Sequence, residues 1–368
     1  MTPPRLTPLA ETLPASVPFV GPEAQERARG AAFVARLGAN ENVFGPSPKA
    51  VEAMRAALET TWCYGDPESH DLRAALAQHH EVGPDQITVG EGIDGLLGTL
   101  VRLLVAPGDA VVTSDGAYPT FNYHVAGFGG QLHKVPYKDD AEDPAALFAK
   151  ARETRAKLVY IANPDNPMGT WTTGAALAEA MSSLPDDTLL VLDEAYIDMA
   201  PDAVSLPLPF NDPRVIRMRT FSKAYGLAGA RVGYALGQRD LITAFNKVRN
   251  HFGVNRIGQA GALAALQDEA WRQEVLARIT ASRKRIADIA EAAGLTALPS
   301  ATNFVAIDCG ADGAFAKAIL NALISQDIFV RMPFVAPQDR CVRISCGRPR
   351  DLDALAIALP KALAAARR

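Results

Sequence analysis

The sequence predicts an α/β protein with a doubly wound, mostly parallel sheet and a smaller α+β domain. Between residues 47 and 253, short apolar runs alternate with amphipathic helical stretches, the pattern of a sheet with helices on both faces. A long helical stretch over residues 255–293 leads to strand-like runs at residues 303–307 and 342–345. Helices of this last part are expected at residues 312–325 and 351–367.

The length and composition indicate one large core and one smaller core. We expect a large domain over residues 40–255 and a small domain made of residues 256–368 with an N-terminal arm, residues 1–39. The net charge of −4 offers no basic surface for nucleic acid, and no apolar run could span a bilayer. No signal-peptide pattern is visible, and the 4 cysteines lack metal-ligand spacing. These features predict a cytoplasmic protein without a metal.

Three polar residues follow apolar runs at similar intervals. Asn166 lies in a turn rich in Pro and Gly after residues 158–162, and Asp193 follows the apolar run 189–192. Asp193 comes 27 residues after Asn166, and Lys223 comes 30 residues after Asp193. Each gap fits one crossover helix and one strand. The three side chains are therefore expected on one rim of the sheet, where open α/β sheets bind ligands.

Lys223 lies in a run of hydroxyl and small residues that ends at Arg231. Such a lysine can form a Schiff base with pyridoxal phosphate (PLP), while Ser222 and Arg231 can bind the phosphate group. Asp193 can pair with a pyridine nitrogen, and Tyr196 can reach the phenolic oxygen of the ring. Singly, these residues have simpler explanations, such as a solvated lysine or a capping aspartate. Their order and spacing favour a cofactor site.

A glycine-rich turn at residues 90–94 precedes a helix expected at residues 96–105. Glycines let the backbone approach a phosphate, and the N–H groups at a helix start attract anions. Gly90, Gly92 and Gly95 also match the dinucleotide motif G-x-G-x-x-G. The strand-end acid that supports a nicotinamide site is missing from this unit. The turn is therefore predicted to bind a phosphate group and not a dinucleotide.

With these motifs in order, the chain resembles the fold-type I PLP-dependent aminotransferases, and it is most similar to the histidinol-phosphate aminotransferases. The resemblance covers nearly the whole chain. Residues 37–48 resemble the family's N-terminal signature, and residues 64–77 resemble the segment whose tyrosine reaches a neighbouring subunit's cofactor. Residues 119–121 resemble the site of an aromatic residue that stacks on the cofactor ring. The resemblance implies the aspartate aminotransferase-like fold and ping-pong transamination.

The resemblance also implies a role for each site residue. Asn166 and Tyr196 would bond the phenolic oxygen, and Phe121 would stack on the ring. Tyr64 would reach the cofactor of a neighbouring subunit, which implies a homodimer with shared active sites. A guanidinium such as that of Arg343 binds a carboxylate bidentately. The implied catalytic residues are Lys223, Asp193 and Tyr196. The implied cofactor residues are these three with Asn166, Phe121, Gly92, Ile93, Asp94, Ser222, Arg231 and Tyr64. The implied substrate residues are Arg343, Arg331 and Asn42.

The implied reaction moves an amino group from histidinol phosphate to 2-oxoglutarate. Arg331 matches the arginine that binds the substrate phosphate, but residues 18–19 are Pro-Phe where the family has Pro-Tyr. Residues 345–350 also lack the family's acidic pair and add two arginines. Aromatic or other amino acids therefore stay open as substrates, and so does a decarboxylase or lyase reaction. A PLP-sensing regulator would need a DNA-binding module, and a non-catalytic binding protein would be expected to lack the lysine or the aspartate.

Overall fold

A computed structural model describes residues 5–15 and 20–368. The strands are β1 Ala35–Arg36, β2 Ile87–Gly90, β3 Ala110–Ser114, β4 Gln131–Val135, β5 Leu158–Ala162, β6 Leu189–Asp193, β7 Val215–Thr220, β8 Gly233–Leu236, β9 Thr296–Ala297, β10 Phe304–Asp308, β11 Ile328–Phe329 and β12 Cys341–Ser345. The helices are α1 Pro8–Thr12, α2 Pro22–Arg29, α3 Pro48–Leu58, α4 His70–His80, α5 Gly92–Leu104, α6 Pro119–Gly127, α7 Pro144–Thr154, α8 Gly174–Ala180, α9 Arg239–Ala244, α10 Arg256–Leu266, α11 Glu269–Ala292, α12 Gly313–Ser325 and α13 Pro349–Ala366.

Within the described residues, seven strands form the main sheet in the order β2-β8-β7-β6-β5-β3-β4. Neighbouring strands are parallel except at β8, which runs antiparallel to both β2 and β7. Both faces of the sheet are buried: in β5, Leu158 and Tyr160 pack with α5, whereas Val159 and Ile161 pack with α7. Burial on both faces explains why this strand is a continuous apolar run. The predicted mostly parallel sheet is confirmed.

A second sheet, in the order β12-β10-β9, is antiparallel, and β1 pairs in parallel with β11. Helices α12 and α13 pack together there, α12 against β12 and α13 against β1. This part is the predicted smaller α+β unit, and it contains chain from both ends of the protein. The domain boundary after residue 255 stays a prediction. The helix that follows it, α10, packs on α3 and α4, which belong to the range predicted as the large domain.

Two connections differ from the prediction. The stretch predicted as one long helix is two helices, because α10 ends at Leu266 and α11 begins at Glu269. Asp268 occupies the N-cap position of α11, but its side chain makes no capping hydrogen bond and lies 3.3 Å from the amine of Lys49. The crossover between β6 and β7 contains short 3₁₀ turns in place of an α-helix. Four prolines in residues 201–213 remove the N–H donors that a helix there would need.

No helix in the described ranges has both the length and the apolar character that a membrane crossing requires.

Candidate active site

A cavity of about 700 Å³ lies at the carboxyl ends of β5, β6 and β7. Ala162 of β5 is in register with Asp193 of β6, and Lys223 follows the end of β7, so the strand ends meet there. Chain from the smaller domain closes the other side. The structure brings together these predicted residues as lining: Ile93, Asp94, Asn166, Asp193, Tyr196, Ser222, Lys223, Arg231, Arg331 and Arg343.

The amine of Lys223 lies in this cavity, beside the N-terminal segment. Its Nζ donates to the carbonyl oxygen of Asn40 at 3.0 Å and lies 5.6 Å from the centroid of the Tyr196 ring. The Nδ2 of Asn40 donates to the Tyr196 hydroxyl at 3.3 Å. Asn40 has a φ of 54°, a left-handed conformation that asparagine adopts more readily than most residues. Asn40 positions the amine, and no local sequence pattern marked this residue for the site.

The carboxyl group of Asp193 is buried at the end of β6. Its Oδ2 accepts from the Tyr160 hydroxyl at 2.8 Å, and its Oδ1 accepts from the N–H of Ala195 at 2.9 Å. Burial raises the pKa of Asp193 to about 6, although these hydrogen bonds and the charge of Lys223 act in the opposite direction. A positive charge placed against this carboxyl group would favour the carboxylate. A protonated ring nitrogen is such a charge.

Helix α5 begins at Gly92, four residues before the predicted start at Leu96, so its first turn borders the cavity. Gly92 has a φ of +76°, and a Cβ there would lie 2.5 Å from Nη2 of Arg231. Only glycine combines that backbone conformation with so close an approach of the guanidinium. The helix start and Arg231 therefore lie side by side at this end of the cavity.

Hydroxyl groups complete this end of the cavity. Nη1 of Arg231 donates to Oγ of Ser222 at 3.4 Å and to the carbonyl oxygen of Ala228 at 2.9 Å. Oγ1 of Thr220 donates to Oγ of Ser222 at 2.9 Å and accepts from the Ser222 N–H at 3.0 Å. A guanidinium, two hydroxyls and a helix N-terminus form an arrangement that binds phosphate. Thr220 is a cavity residue that the sequence analysis did not assign.

Two arginines from the smaller domain face the same cavity. Arg331 and Arg343 form an antiparallel bridge, with backbone N–O distances of 3.3 and 2.6 Å, so their side chains lie on the same face. The guanidinium of Arg343 donates to Oδ1 of Asn166 and to the carbonyl oxygen of Gly38. Removal from solvent lowers the pKa of Arg343 to about 10, and among the described residues its buried Nε has no hydrogen-bond partner. A buried donor without a partner favours an anionic ligand.

Phe121 does not line the cavity of the described structure, and its stacking on the cofactor ring stays a prediction. Its ring is fully buried and stacks on Tyr160, with 4.7 Å between the ring centroids. Helix α6 begins at Pro119, which turns Phe121 towards the core and leaves Tyr118, just before the helix, in the cavity lining. The Tyr118 hydroxyl donates to the Asp94 carboxylate at 3.2 Å. The sequence signal that could have identified Tyr118 is an aromatic residue directly before a proline that begins a helix.

Asn42 is also absent from the cavity lining, and its contact with substrate stays a prediction. Its Nδ2 donates to the carbonyl oxygens of Lys223 and Ala224, at 3.1 Å each. Asn42 thus holds the loop that carries the lysine. Tyr64 is 77% exposed and lies against Phe252, away from the cavity of its own chain. Its contact with a neighbouring subunit's cofactor stays a prediction.

The segment that follows Arg331 borders the cavity and was not identified from the sequence. Phe334 lies in this lining and is 66% exposed. Nothing in the local sequence pattern marks it, because its place depends on contacts between distant parts of the chain. The Pro-Phe pair at residues 18–19 lies outside the described residues. No cluster of His, Cys, Asp or Glu in the described part of the chain could hold a metal ion.

Comparison with known proteins agrees with this geometry. The family model for aminotransferase class I and II matches residues 34–359. A crystal structure of histidinol-phosphate aminotransferase from Sinorhizobium meliloti in complex with pyridoxal-5'-phosphate is 54% identical, with a TM-score of 0.94 and 98% of each chain covered. Histidinol-phosphate aminotransferase from an Anaeromyxobacter species is 35% identical over 98% of this chain and 100% of its own length. Aspartate aminotransferase from Thermus thermophilus, at 23% identity and a TM-score of 0.79, shares the fold. The chain belongs to the aminotransferase class I and II family.

Proposed function

We propose that the protein is a PLP-dependent aminotransferase that moves an amino group between histidinol phosphate and a 2-oxo acid, 2-oxoglutarate, by ping-pong transamination. The observation that carries the proposal is one cavity in which Lys223, the buried Asp193 and a phosphate-binding end lie together with two arginines. The similarity to the S. meliloti enzyme over 98% of the chain supports both the cofactor and the substrate.

The residues of the cavity fit PLP. Asp193 would hold the protonated ring nitrogen, whose charge relieves the cost of a buried carboxylate. Ser222, Arg231 and the start of α5 would hold the phosphate group. Nδ2 of Asn166 is the group that can donate into the cavity, since its Oδ1 accepts from Arg343. When bound, PLP supplies a reactive aldehyde carbon and a ring that accepts electrons from the substrate.

The lysine amine carries the proton in this reaction. Nζ of Lys223 lies between the Asn40 carbonyl oxygen and the Tyr196 ring, which hold it at the cavity. From there the neutral amine would take the proton from the substrate Cα, hold it at Nζ and return it on the same side of the cavity. Asn42 fixes the backbone of the loop from which the lysine side chain extends.

The arginine pair explains how one site accepts two different substrates. Histidinol phosphate carries a phosphate ester where an amino acid carries its α-carboxylate, so it places a dianion at this position. Arg331 and Arg343 lie on adjacent strand positions and supply two guanidiniums for it. The same two groups can bind the two carboxylates of 2-oxoglutarate, which enters the site after the first product leaves.

We also infer that the enzyme is a cytoplasmic homodimer in which Tyr64 completes the site of the neighbouring subunit. Trp62 and Tyr64 are 84% and 77% exposed, and Tyr64 lies with the exposed Phe252. Such an aromatic surface is typical of a protein interface. The cysteines, all free in the described residues, fit a reducing compartment.

The test is a single-turnover absorbance titration of the PLP-loaded protein with histidinol phosphate, histidinol, phenylalanine and tyrosine. We expect histidinol phosphate to react roughly 100-fold more efficiently than histidinol, since the two differ only in the phosphate that the arginines bind. Arg331→Ala should remove most of that advantage and leave the reaction of histidinol nearly unchanged. Arg367→Ala, an exposed arginine at the end of α13, serves as the control.

Three results would contradict the proposal at different levels. Faster reaction with phenylalanine or tyrosine would make the histidinol phosphate assignment wrong. Recovery of the PLP absorbance after phenylalanine or tyrosine reacts in the absence of a 2-oxo acid, with release of CO₂, would indicate a decarboxylase. Absence of PLP absorbance after reconstitution would remove the cofactor assignment altogether.

A further inference from the structure

A second cavity, of about 900 Å³, lies outside the active site and shares no lining residue with it. Helices α11 and α13 and the segment after Asn42 border it. Its lining combines apolar side chains, among them Val43, Phe44 and Leu352, with four arginines, Arg278, Arg285, Arg348 and Arg350. The last two are the additional arginines noted in residues 345–350, and neither lines the active-site cavity.

The two arginines at the start of α13 share one carboxylate. Nε of Arg348 lies 2.9 Å from Asp351, and Nε of Arg350 lies 3.6 Å from the same side chain. Asp351 also accepts the backbone N–H of Arg348 at 3.0 Å, so its oxygens are occupied. The start of α13, an 18-residue helix, adds the positive end of its dipole. Positive charge is therefore in excess on this side of the cavity.

The two arginines of α11 are held by single exposed ion pairs. Arg278 pairs with Glu274 one turn earlier, and Arg285 lies 3.6 Å from Asp353. The side chains of these arginines are 44% and 52% exposed. Ion pairs at such exposure contribute little, so both guanidiniums can turn to a ligand at small cost.

The apolar groups in the lining distinguish this cavity from a typical binding site for an inorganic ion. The Cζ of Arg278 lies 5.9 Å from the Phe44 ring and 5.5 Å from the Trp271 ring, which keeps the guanidinium against an aromatic surface. The volume is that of sites for drug-sized molecules. A ligand that fills it must bring an apolar body as well as negative charge.

From this combination we propose that the protein has a second ligand site, at the junction of α11 and α13, for a small organic phosphate with an apolar or ring-shaped body. The phosphate binds between Arg285, Arg348 and Arg350, since guanidinium forks bind phosphate oxygens bidentately. The apolar body lies against Phe44 and Leu352.

The test is isothermal titration calorimetry with phenyl phosphate and the PLP-loaded Arg331→Ala protein. The bound PLP fills the cofactor-phosphate end of the active site, and Arg331→Ala removes one of the two arginines proposed for the substrate phosphate, which weakens binding there. We expect one saturable event with a Kd below about 1 mM. Adding Arg285→Ala and Arg350→Ala should weaken the Kd about tenfold or more, because two charged donors are lost. Adding Arg367→Ala, at the other end of α13, should leave it unchanged.

Two simpler probes test the dual character of the site. Inorganic phosphate and phenol should each bind at least about tenfold more weakly than phenyl phosphate. Inorganic phosphate lacks the apolar ring, and phenol lacks the phosphate that the arginines bind. Without any mutation of the four arginines, raising NaCl from about 50 to 500 mM should weaken the Kd several-fold. PLP absorbance of the variants shows that they are folded.

The proposal is overturned by the absence of a saturable event in the Arg331→Ala protein, or by a Kd that neither the arginine pair nor salt alters. Equal binding of inorganic phosphate and phenyl phosphate would also overturn it, because the cavity would then act as a general anion site.

Discussion

Asp193 illustrates how the position of one side chain creates a need for a particular partner. Its carboxyl group lies at the end of a strand buried on both faces, with a tyrosine hydroxyl and one backbone N–H as hydrogen-bond donors. Two donors do not compensate for the loss of water, and burial raises the pKa to about 6. A cation beside this group would stabilise its carboxylate form and lower the pKa again.

This need can be measured as a pH dependence of stability. Because the pKa of Asp193 is higher in the folded protein than the unfolded value of 3.8, its contribution is present below about pH 4 and lost as the pH rises through about 6. Relative to Asp193→Asn, the cofactor-free protein should lose on the order of 2 to 3 kcal/mol between pH 4 and 7.5. Urea unfolding of both proteins at the two pH values gives the difference.

With PLP bound at pH 7.5, the unaltered protein should be more stable than Asp193→Asn, because the protonated ring nitrogen stabilises the carboxylate. A stability difference that is independent of both pH and PLP would show that Asp193 is not the group facing the ring.

Site residues could be predicted from the sequence where they directly follow a buried strand. Asp193 and Lys223 follow apolar runs, and the rim of a parallel sheet places such residues together. Tyr118 was missed because a shift of three residues on a helix start decides which aromatic faces the cavity. The contact of the Asn42 amide with carbonyl groups about 180 residues later was not predictable, because no local pattern shows it.

At the scale of elements, the start of α5 makes the anion-binding end of the cavity depend on one glycine. Gly92→Ala would place a methyl group 2.5 Å from the guanidinium of Arg231, at a φ that alanine rarely adopts. We expect the substitution to displace the arginine and weaken PLP binding by roughly tenfold or more, since one charge-assisted contact to the phosphate is lost. Equilibrium dialysis of PLP against the variant measures the change.

Gly108→Ala is the matched control. Gly108 also has a positive φ, +89°, but an added Cβ would meet nothing within 4 Å. Both variants should lose about 1 kcal/mol of stability from backbone strain, and only Gly92→Ala should lose PLP affinity. Equal PLP affinities would show that the close approach of Arg231 is unimportant for the cofactor.

Elements were predicted best where one physical requirement governs a whole segment. Continuous apolar runs identified β5 and β6 because both faces of the sheet are covered. The end of α10 was missed because Gln267 and Asp268 are compatible with a helix, and the buried Asp268 pairs with the distant Lys49, which no local pattern shows. The crossover after β6 was predicted as a helix from its length, although its prolines argue for short turns.

At the scale of the whole molecule, shared active sites would make two inactive subunits complement each other. A hybrid dimer of Lys223→Ala and Tyr64→Ala subunits should contain one site with an intact lysine and the partner's intact tyrosine. We expect such hybrids, isolated with two affinity tags, to have about half of the activity of the unaltered dimer, and more than either variant alone.

The control combines both substitutions in one subunit and pairs it with an unaltered subunit. If Tyr64 serves the neighbouring site, this second hybrid has no complete site and should be nearly inactive. If each chain uses its own Tyr64, the second hybrid keeps half of the activity and the first loses it. The sequence alone could suggest the exchange only through family resemblance, because Tyr64 lies far from its own cavity.

The pairing of β1 with β11 has a consequence for how the protein is made. Ala35 leaves the ribosome roughly 290 residues before its partner Ile328, an interval of about 15 to 60 s at ordinary rates of translation. The main sheet is complete in sequence at Leu236, so a nascent chain can assemble it while the first strand still has no partner. Arg331 emerges 95 residues after Leu236 (331 − 236), and Arg343 follows it. A ribosome-bound chain that ends soon after the main sheet therefore holds the lysine without these two arginines, and the arginine side of the cavity forms only later.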